Sequence, residues 1–369
     1  MTASQHSHGG WKTIAMTVAP PVLALALVGL EHAHLVHADS AALFGVAALL
    51  LLGSVFAAVH HAEMVALKVG EPMGSILLAL AVTAIETSLI VAAMVGSDTG
   101  DNSLARDTVF SAVSIVLNGV IGLCLLVGGA RYGEQGFRVS GTGSALSVLA
   151  TLAILTLVLP NFTIARLGPQ YSPTQLIFVG GLSILLYGVF VFVQSVRHRD
   201  YFLVDADGDE EAAHAPPSAG ATAFSGIMLV VSLAGVVLLA ETLSPALERG
   251  IHSVGLPVSF LGVIIAALVL LPESVAAVAA ARANKLQTSL NLSLGSAIAS
   301  IGLTIPAVGA VSLYLGKELT LGLNEENMVI LMLTLFVGSI TLATGRATIL
   351  QGAVHLVIFG VFLLFSAVP

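Results

Sequence analysis

Two glutamates stand where glutamate is costly. Glu86 lies in GEPMGSILLALAVTAIETSLI, residues 70–90, and Glu273 in VIIAALVLLPESVAAVAAA, and both segments are otherwise apolar. An ionisable side chain at membrane depth is expensive, rare and by default a functional-site hypothesis. Two of them on separate helices suggest one shared site for a cation. In each case the following helix carries a polar stripe. Ser111, Ser114 and Asn118 are spaced i, i+3, i+7, and Ser289, Ser293, Ser296, Ser300 and Thr304 extend the same pattern over several turns. Hydroxyl and carboxamide oxygens are hard ligands, and a calcium ion takes about six to eight oxygens at roughly 2.3–2.6 Å. The stripes have a second reading, because serines on membrane helices also allow close packing and hydrogen-bond across helices.

Pro272 precedes Glu273 directly and removes a helix hydrogen bond, freeing a carbonyl near the carboxylate. Irregular backbone at membrane depth is tolerated where it lines a polar cavity, although a plain packing kink explains Pro272 as well. Glu71, in GEPMG at the mouth of the same helix as Glu86, follows Glu63 and the pair His60-His61. These groups suit a proton relay, since histidine titrates near neutral pH, and they equally suit a solvated interface. His32, His34 and His37 resemble a small metal-binding cluster, Glu241 reads as interfacial, and His355 reads as a packing histidine. There is no HExxH, GxxxxGK[ST] or Gly-x-Ser-x-Gly motif, so a metalloprotease, an ATP-driven pump and a serine-type enzyme lack support.

These residues need a membrane scaffold. The chain is 57% hydrophobic and only 9% charged, with a mean hydropathy of +1.00, whereas a soluble globule carries roughly 25% charged residues. Only helices and closed barrels satisfy backbone polar groups in lipid, and ten-residue alternating barrel strands are not seen. The expectation is an all-α polytopic membrane protein. At about 20 apolar residues per crossing, eleven helices are predicted, near 13–30, 41–60, 75–96, 107–129, 143–161, 175–196, 223–243, 256–281, 287–314, 327–344 and 347–367. The first has no small-residue cleavage site after it and reads as a retained helix. The single cysteine, Cys124, lies in an apolar run and permits no intramolecular disulfide.

Charge orients this plan. With the N-terminus inside, nine Lys/Arg fall on the cytoplasmic side (12, 68, 131, 138, 197, 199, 282, 285, 346) and four outside (106, 166, 249, 317). The longest hydrophilic stretch, 197–222, starts basic, turns acidic through Asp205, Asp207, Asp209, Glu210 and Glu211, and ends in a Pro/Ser/Ala linker. A solvated linker and a weak cation sensor both fit it; a complete EF-hand loop is absent. The linker separates two sets of five helices, 41–196 and 223–369, behind a tail (1–12) and a leading helix (13–40). An odd number of crossings inverts the second set relative to the first. Inverted repeats with a site at the repeat interface are a common transporter plan. Glu86 and Glu273 each fall in the second helix of their set.

AEMVALKVGEPMGSILLALAVTAIETSLI, LLPESVAAVAAARANKLQTSLNLSLGSAIASIGLTIP, the acidic linker and the closing TGRATILQGAVHLVIF together resemble the ChaA-type calcium/proton antiporters of the calcium/cation antiporter superfamily. The resemblance covers nearly the whole chain. It implies two inverted repeats whose central glutamates, here Glu86 and Glu273, bind the cation, and it points to Ser114, Asn118 and Ser296 as site-lining. Thr83 and Ser300 join them as candidate cation- and proton-binding residues, with Glu71 and Pro272 as candidates for relay or gating. One departure matters. The wider superfamily often reads Gly-Asn-x-x-Glu, whereas this chain has VTAIE and VLLPE, so Thr83 and Leu270 stand where asparagines would be.

The implied activity is secondary exchange of Ca2+ for H+ by alternating access, with the glutamates taking cation or protons competitively. Sodium or potassium in place of calcium, or a cation channel, are the alternatives. No cofactor is expected. The partners are inorganic cations, protons and the lipid bilayer, not nucleic acid, in a bacterial-type inner membrane with the N-terminus cytoplasmic and the C-terminus outside.

Overall fold

The computed structural model describes residues 5–33, 41–70, 73–96, 103–202 and 217–369. Glu71, His34, His37 and the acidic run 205–211 lie outside the described residues. In chain order the helices are α1 (Gln5–His32), α2 (Ala41–Val69), α3 (Met73–Gly96), α4 (Leu104–Ser114), α5 (Ile121–Tyr132), α6 (Val139–Ala153), α7 (Pro173–Phe192), α8 (Ala219–Ser253), α9 (Phe260–Arg282), α10 (Leu286–Ala299), α11 (Ile305–Leu315), α12 (Glu325–Ala343) and α13 (Ile349–Ala367). Some are joined without a break, and among the described residues eleven spans are long and apolar enough to cross a membrane. The chain is an integral membrane protein.

Four spans carry π-helical turns, at Ile115–Val120, Ile154–Val158, Val193–Arg197 and Ser300–Thr304. An i→i+5 turn inserts a residue into the helix, shifts every later side chain around the axis, and is frequent at functional sites. Two of these turns fall inside the two polar stripes. The i, i+3, i+7 spacing therefore does not keep Ser111, Ser114 and Asn118 on one face, because the π turn begins between Ser114 and Asn118.

The chain divides into two compact units, residues 1–98 with 214–254, and 99–213 with 255–369. In the first, α1, α2, α3 and α8 pack together, with Ala24, Val28, Ala47, Leu239 and Leu243 at one core. His61 ties three of these helices, its Nδ1 lying 3.3 Å from the Ser225 hydroxyl and its Nε2 3.3 Å from the Thr17 carbonyl. Pro20 and Pro21 in α1 and Pro245 in α8 interrupt otherwise regular helices.

The second unit contains the other nine helices and all four π turns. Its turns are tied by a short antiparallel pair, Gln135 opposite Ala347 and Gly136 opposite Arg346, where a tight Gly345-Arg346 connection was expected. Gln135 is buried, and its side-chain amide donates to the Ala281 carbonyl at 3.1 Å and to Asn284 Oδ1 at 2.9 Å. Gln287 accepts from the Arg138 N–H at 2.7 Å and donates to Asn291 at 2.8 Å. These bonds lock the ends of α5, α6, α9 and α10 against one another.

Candidate functional site

In the first unit the sequence places Thr83, Glu86 and Thr87 at i, i+3, i+4, one face of α3. Val82, Ile85, Leu89 and Ile90 are buried beside them. Glu86 is 2% exposed, within an 18-residue-plus apolar span, Met73–Ala92. The hydroxyls of Thr83 and Thr87 are buried and have no hydrogen-bond partner among the described residues. A buried hydroxyl without a partner costs roughly 1–3 kcal/mol. Two of them next to one carboxylate on one helix face form a cluster of uncommitted oxygen ligands.

In the second unit Glu273 is held on α9. Two contacts fix that helix against the α4–α5 span. A Cβ at Gly262 would lie 2.7 Å from the Asp107 carbonyl carbon, so the backbones nearly touch there. At the other end the Tyr132 hydroxyl donates to the Arg282 carbonyl at 2.9 Å. The two spans thus run side by side in the same direction, and Glu273, midway along α9, lies level with the π turn Ile115–Val120. Pro272 lacks the N–H that would pair with the Leu268 carbonyl, and the Ser274 hydroxyl instead donates to the Leu270 carbonyl at 2.7 Å.

Ser296, on the neighbouring α10, donates to Glu273 Oε2 at 2.8 Å. That distance suits a hydroxyl-to-carboxylate bond, which is roughly twice as strong as one between neutral groups. Glu273 and Ser296 are both only half-buried, unlike Glu86. On the neighbouring spans Ser114 and Ser293 have buried hydroxyl oxygens without a partner among the described residues, as has Thr108 nearer the start of α4. Ser300, 5% exposed, opens the π turn of the α10–α11 span. Ser111 is committed, donating to the Asp107 carbonyl at 2.6 Å, and Ser289 donates to the Ala277 carbonyl at 2.6 Å. Leu270, at the position where the wider superfamily often has asparagine, is 3% exposed.

Asn118 faces α12 and α13. Its Nδ2 donates to the Thr334 hydroxyl at 2.8 Å, and its Oδ1 lies 3.2 Å from His355 Nδ1. His355 Nε2 lies 3.1 Å from the Thr341 hydroxyl. His355 was expected to be a packing histidine; it is buried and bonded at both nitrogens. This cluster escaped sequence reasoning because Asn118 lies more than two hundred residues before its partners on α12 and α13.

At the mouth of α4, Asp107 is 6% exposed and pairs with the Arg106 Nε at 2.7 Å, which leaves it no role as a bare carboxylate. Among the described residues no three His, Cys, Asp or Glu side chains cluster as a resident metal centre.

Glu86 and Glu273 lie inside membrane spans of a polytopic helical protein, with hydroxyl side chains on the same or a neighbouring helix. The sodium/calcium exchanger protein family matches residues 40–196 and 224–368, and the chain belongs to that family. It is a family of transporters, not enzymes. The chain is 52% identical to the putative ionic transporter y4hA of Sinorhizobium fredii (strain NBRC 101917 / NGR234), over 95% of each. It is 35% identical to the sodium-potassium/proton antiporter ChaA of Escherichia coli (strain K12), over 85% of this chain and 86% of that protein. The solved structure of native YfkE superposes with a TM-score of 0.72 at 20% identity, covering 94% of this chain and 99% of that one, and so shares the fold.

Proposed function

We propose that the chain is a secondary cation/proton antiporter in which Glu86 and Glu273 take cation and proton in turn. The observation that carries this reading is the Ser296–Glu273 bond at 2.8 Å inside a membrane span. It holds a carboxylate at a defined position within the span without burying it fully. Ionised, the two glutamates supply the charge that draws a cation out of water. Protonated, they lose that charge and release it. Cation binding and proton binding are then mutually exclusive, which is the requirement for coupled exchange.

Calcium is the cation that the chemistry of the donors favours, because two carboxylates with several hydroxyl oxygens suit a hard divalent ion. A sodium or potassium substrate is the second reading. It is supported by the 35% identity to a sodium-potassium/proton antiporter, and by Thr83 and Leu270, which deprive the site of two amide oxygens. Each repeat comprises five helices, 41–196 and 223–369, behind the leading helix. In support, the π turns Ile115–Val120 and Ser300–Thr304 fall in the third helix of each repeat. The charge asymmetry supports a cytoplasmic N-terminus and an external C-terminus in a bacterial inner membrane.

The test is proton flux in proteoliposomes under an imposed pH gradient, with calcium, sodium and potassium added separately. Dissipation by calcium alone supports the first reading, and dissipation by sodium or potassium supports the second. Cation currents without proton movement would replace exchange by a channel.

A further inference from the structure

Three membrane spans of the second unit end at Tyr132, Arg197 and Arg282, and three others begin at Val139, Leu286 and Ile349. Side-chain bonds gather these boundaries at one end of the unit. The Tyr132 hydroxyl donates to the Arg282 carbonyl at 2.9 Å, the Arg138 N–H to Gln287 at 2.7 Å and the Arg138 guanidinium to the Asp200 carbonyl, and Arg346 pairs with Glu134 at 3.2 Å. Among the described residues this end carries seven Lys/Arg side chains (131, 138, 197, 199, 282, 285, 346) against two carboxylates, Glu134 and Asp200, a balance of +5. Arg131, Arg197, Arg199, Arg282 and Lys285 are exposed and make no ion pair among the described residues. The opposite end of the same unit is neutralised. There Arg106, Arg166 and Lys317 meet Asp107, Glu318, Glu325 and Glu326, with Arg106 held by Asp107 at 2.7 Å and Arg166 by Glu318 at 3.3 Å.

Insertion topology accounts for the sign of this asymmetry, but not for what surrounds the cations. Each cluster adjoins apolar surface turned outward. Val196, exposed, directly precedes Arg197, and the exposed Ile349 and Leu350 follow Arg346 within a turn. The Arg131 guanidinium lies 5.6 Å from the centre of the Tyr132 ring, and Tyr132 is itself exposed at the end of its span. Tyrosine is a residue of the membrane–water boundary, and a guanidinium matches a phosphate with two parallel hydrogen bonds. Exposed apolar side chains with unpaired cations beside them fit a molecule that is acyl chain below and phosphate above. A soluble anion or an acidic peptide makes no use of the apolar half. We propose that this end of the second unit is a docking surface for anionic phospholipid headgroups, with Arg131, Arg282 and Lys285 at one spot and Arg197 and Arg199 at another. The inference rests on the membrane spans and not on which ion is exchanged.

The experiment reconstitutes the full chain in phosphatidylcholine and compares spin-labelled phosphatidylglycerol with spin-labelled phosphatidylcholine at the protein surface by electron paramagnetic resonance. Phosphatidylglycerol should associate about fivefold more strongly, the gain that one unpaired cation at the surface supplies. The preference should fall toward unity in roughly 1 M salt, where the screening length is about 3 Å. Replacing all five cations (Arg131→Gln, Arg197→Gln, Arg199→Gln, Arg282→Gln and Lys285→Gln) should abolish it, whereas lysine at the four arginines should keep most of it. The Tyr132 bond survives these changes, because it ends on the Arg282 backbone carbonyl. Equal association of the two lipids with the wild type, or a preference that survives the five substitutions, overturns the proposal. So does a preference seen only after Asp205, Asp207, Asp209, Glu210 and Glu211 are replaced by Asn or Gln, because the chain's own acidic run would then be the occupant. Loss of the preference on adding inorganic phosphate at constant ionic strength also overturns it, since the surface would then take free anions. Should the five-site variant not fold, Arg131→Gln/Arg282→Gln/Lys285→Gln and Arg197→Gln/Arg199→Gln are measured separately. A reduced preference in either supports the proposal, and an unchanged one in both overturns it.

Discussion

The two units hold their carboxylates in opposite ways. Glu86 is sealed at 2% exposure on a helix without a π turn, and the hydroxyls of Thr83 and Thr87, one turn away on its own helix, have no partner among the described residues. Glu273 is partly exposed on a helix that contains Pro272, is bonded by Ser296 from another helix, and lies level with a π turn. The first arrangement leaves oxygens waiting for an ion. The second fixes the carboxylate before the ion arrives. Preorganised groups cost less to bind with, so losing the hydroxyl bonded to Glu273 is expected to weaken cation affinity more than losing one beside Glu86.

The largest expected effect treats both units alike. Glu86→Gln and Glu273→Gln keep shape and hydrogen bonding but remove the titratable charge. Each is expected to reduce cation-dependent proton flux more than 100-fold in proteoliposomes while the protein still elutes as a folded species. Loss in one variant only would break the symmetry of the two carboxylates and leave a single exchange group.

The hydroxyls sharpen the contrast. Ser296→Ala removes a bond to a carboxylate, of a kind that contributes roughly 1.5–3 kcal/mol when buried. Since Ser296 is half-exposed, the low end applies. At about 1.4 kcal/mol per tenfold, cation KM should rise roughly tenfold, with thermal stability in detergent unchanged or lower. Thr83→Val should raise KM as well, but with stability unchanged or higher, because it deletes a buried hydroxyl that lacks a partner. Parallel measurement of KM and melting temperature distinguishes the two. A Thr83→Val variant that gains stability and keeps wild-type KM would mean that this hydroxyl never meets the ion.

Much of this was legible in the sequence, for a physical reason. Lipid forces each crossing into a long apolar helix, so the eleven spans and the two glutamates inside them stand out by composition alone. The helix limits were harder to read where the helix continues past the lipid. α2 runs to Val69 and α8 to Ser253, beyond the expected 60 and 243. The polar stripes were found but their faces were not, because a π turn leaves no mark in residue type, and the 3.6-residue period failed between Ser114 and Asn118. The grouping of α8 with α1, α2 and α3 was also hidden, since it joins segments separated by more than a hundred residues. The Asn118–His355 bond had the same obstacle; its one sequence signal was a lone histidine in an apolar helix.

The smallest expected effect compares how the two units are packed. Gly262 on α9 lies against the Asp107–Thr108 backbone, where an added Cβ would meet atoms at 2.7 and 2.8 Å. Gly53 on α2 lies against the Pro20 ring, where it would meet atoms at 2.7 and 2.9 Å. Neither neighbour is a flexible side chain, so alanine at either position must push helices apart, at a cost of typically 1–3 kcal/mol. The functional consequence differs. Gly262→Ala displaces the helix that carries Glu273 from the span that carries Asn118, and cation KM should rise a few-fold along with the fall in melting temperature. Gly53→Ala separates α1 from α2, while α3, the helix of Glu86, still packs on α2 and α8. Its melting temperature should fall by a similar amount with KM unchanged. If instead Gly53→Ala raises KM as much as Gly262→Ala, then the hydroxyls of the first unit are as tightly positioned as those of the second, and the contrast between the two settings fails.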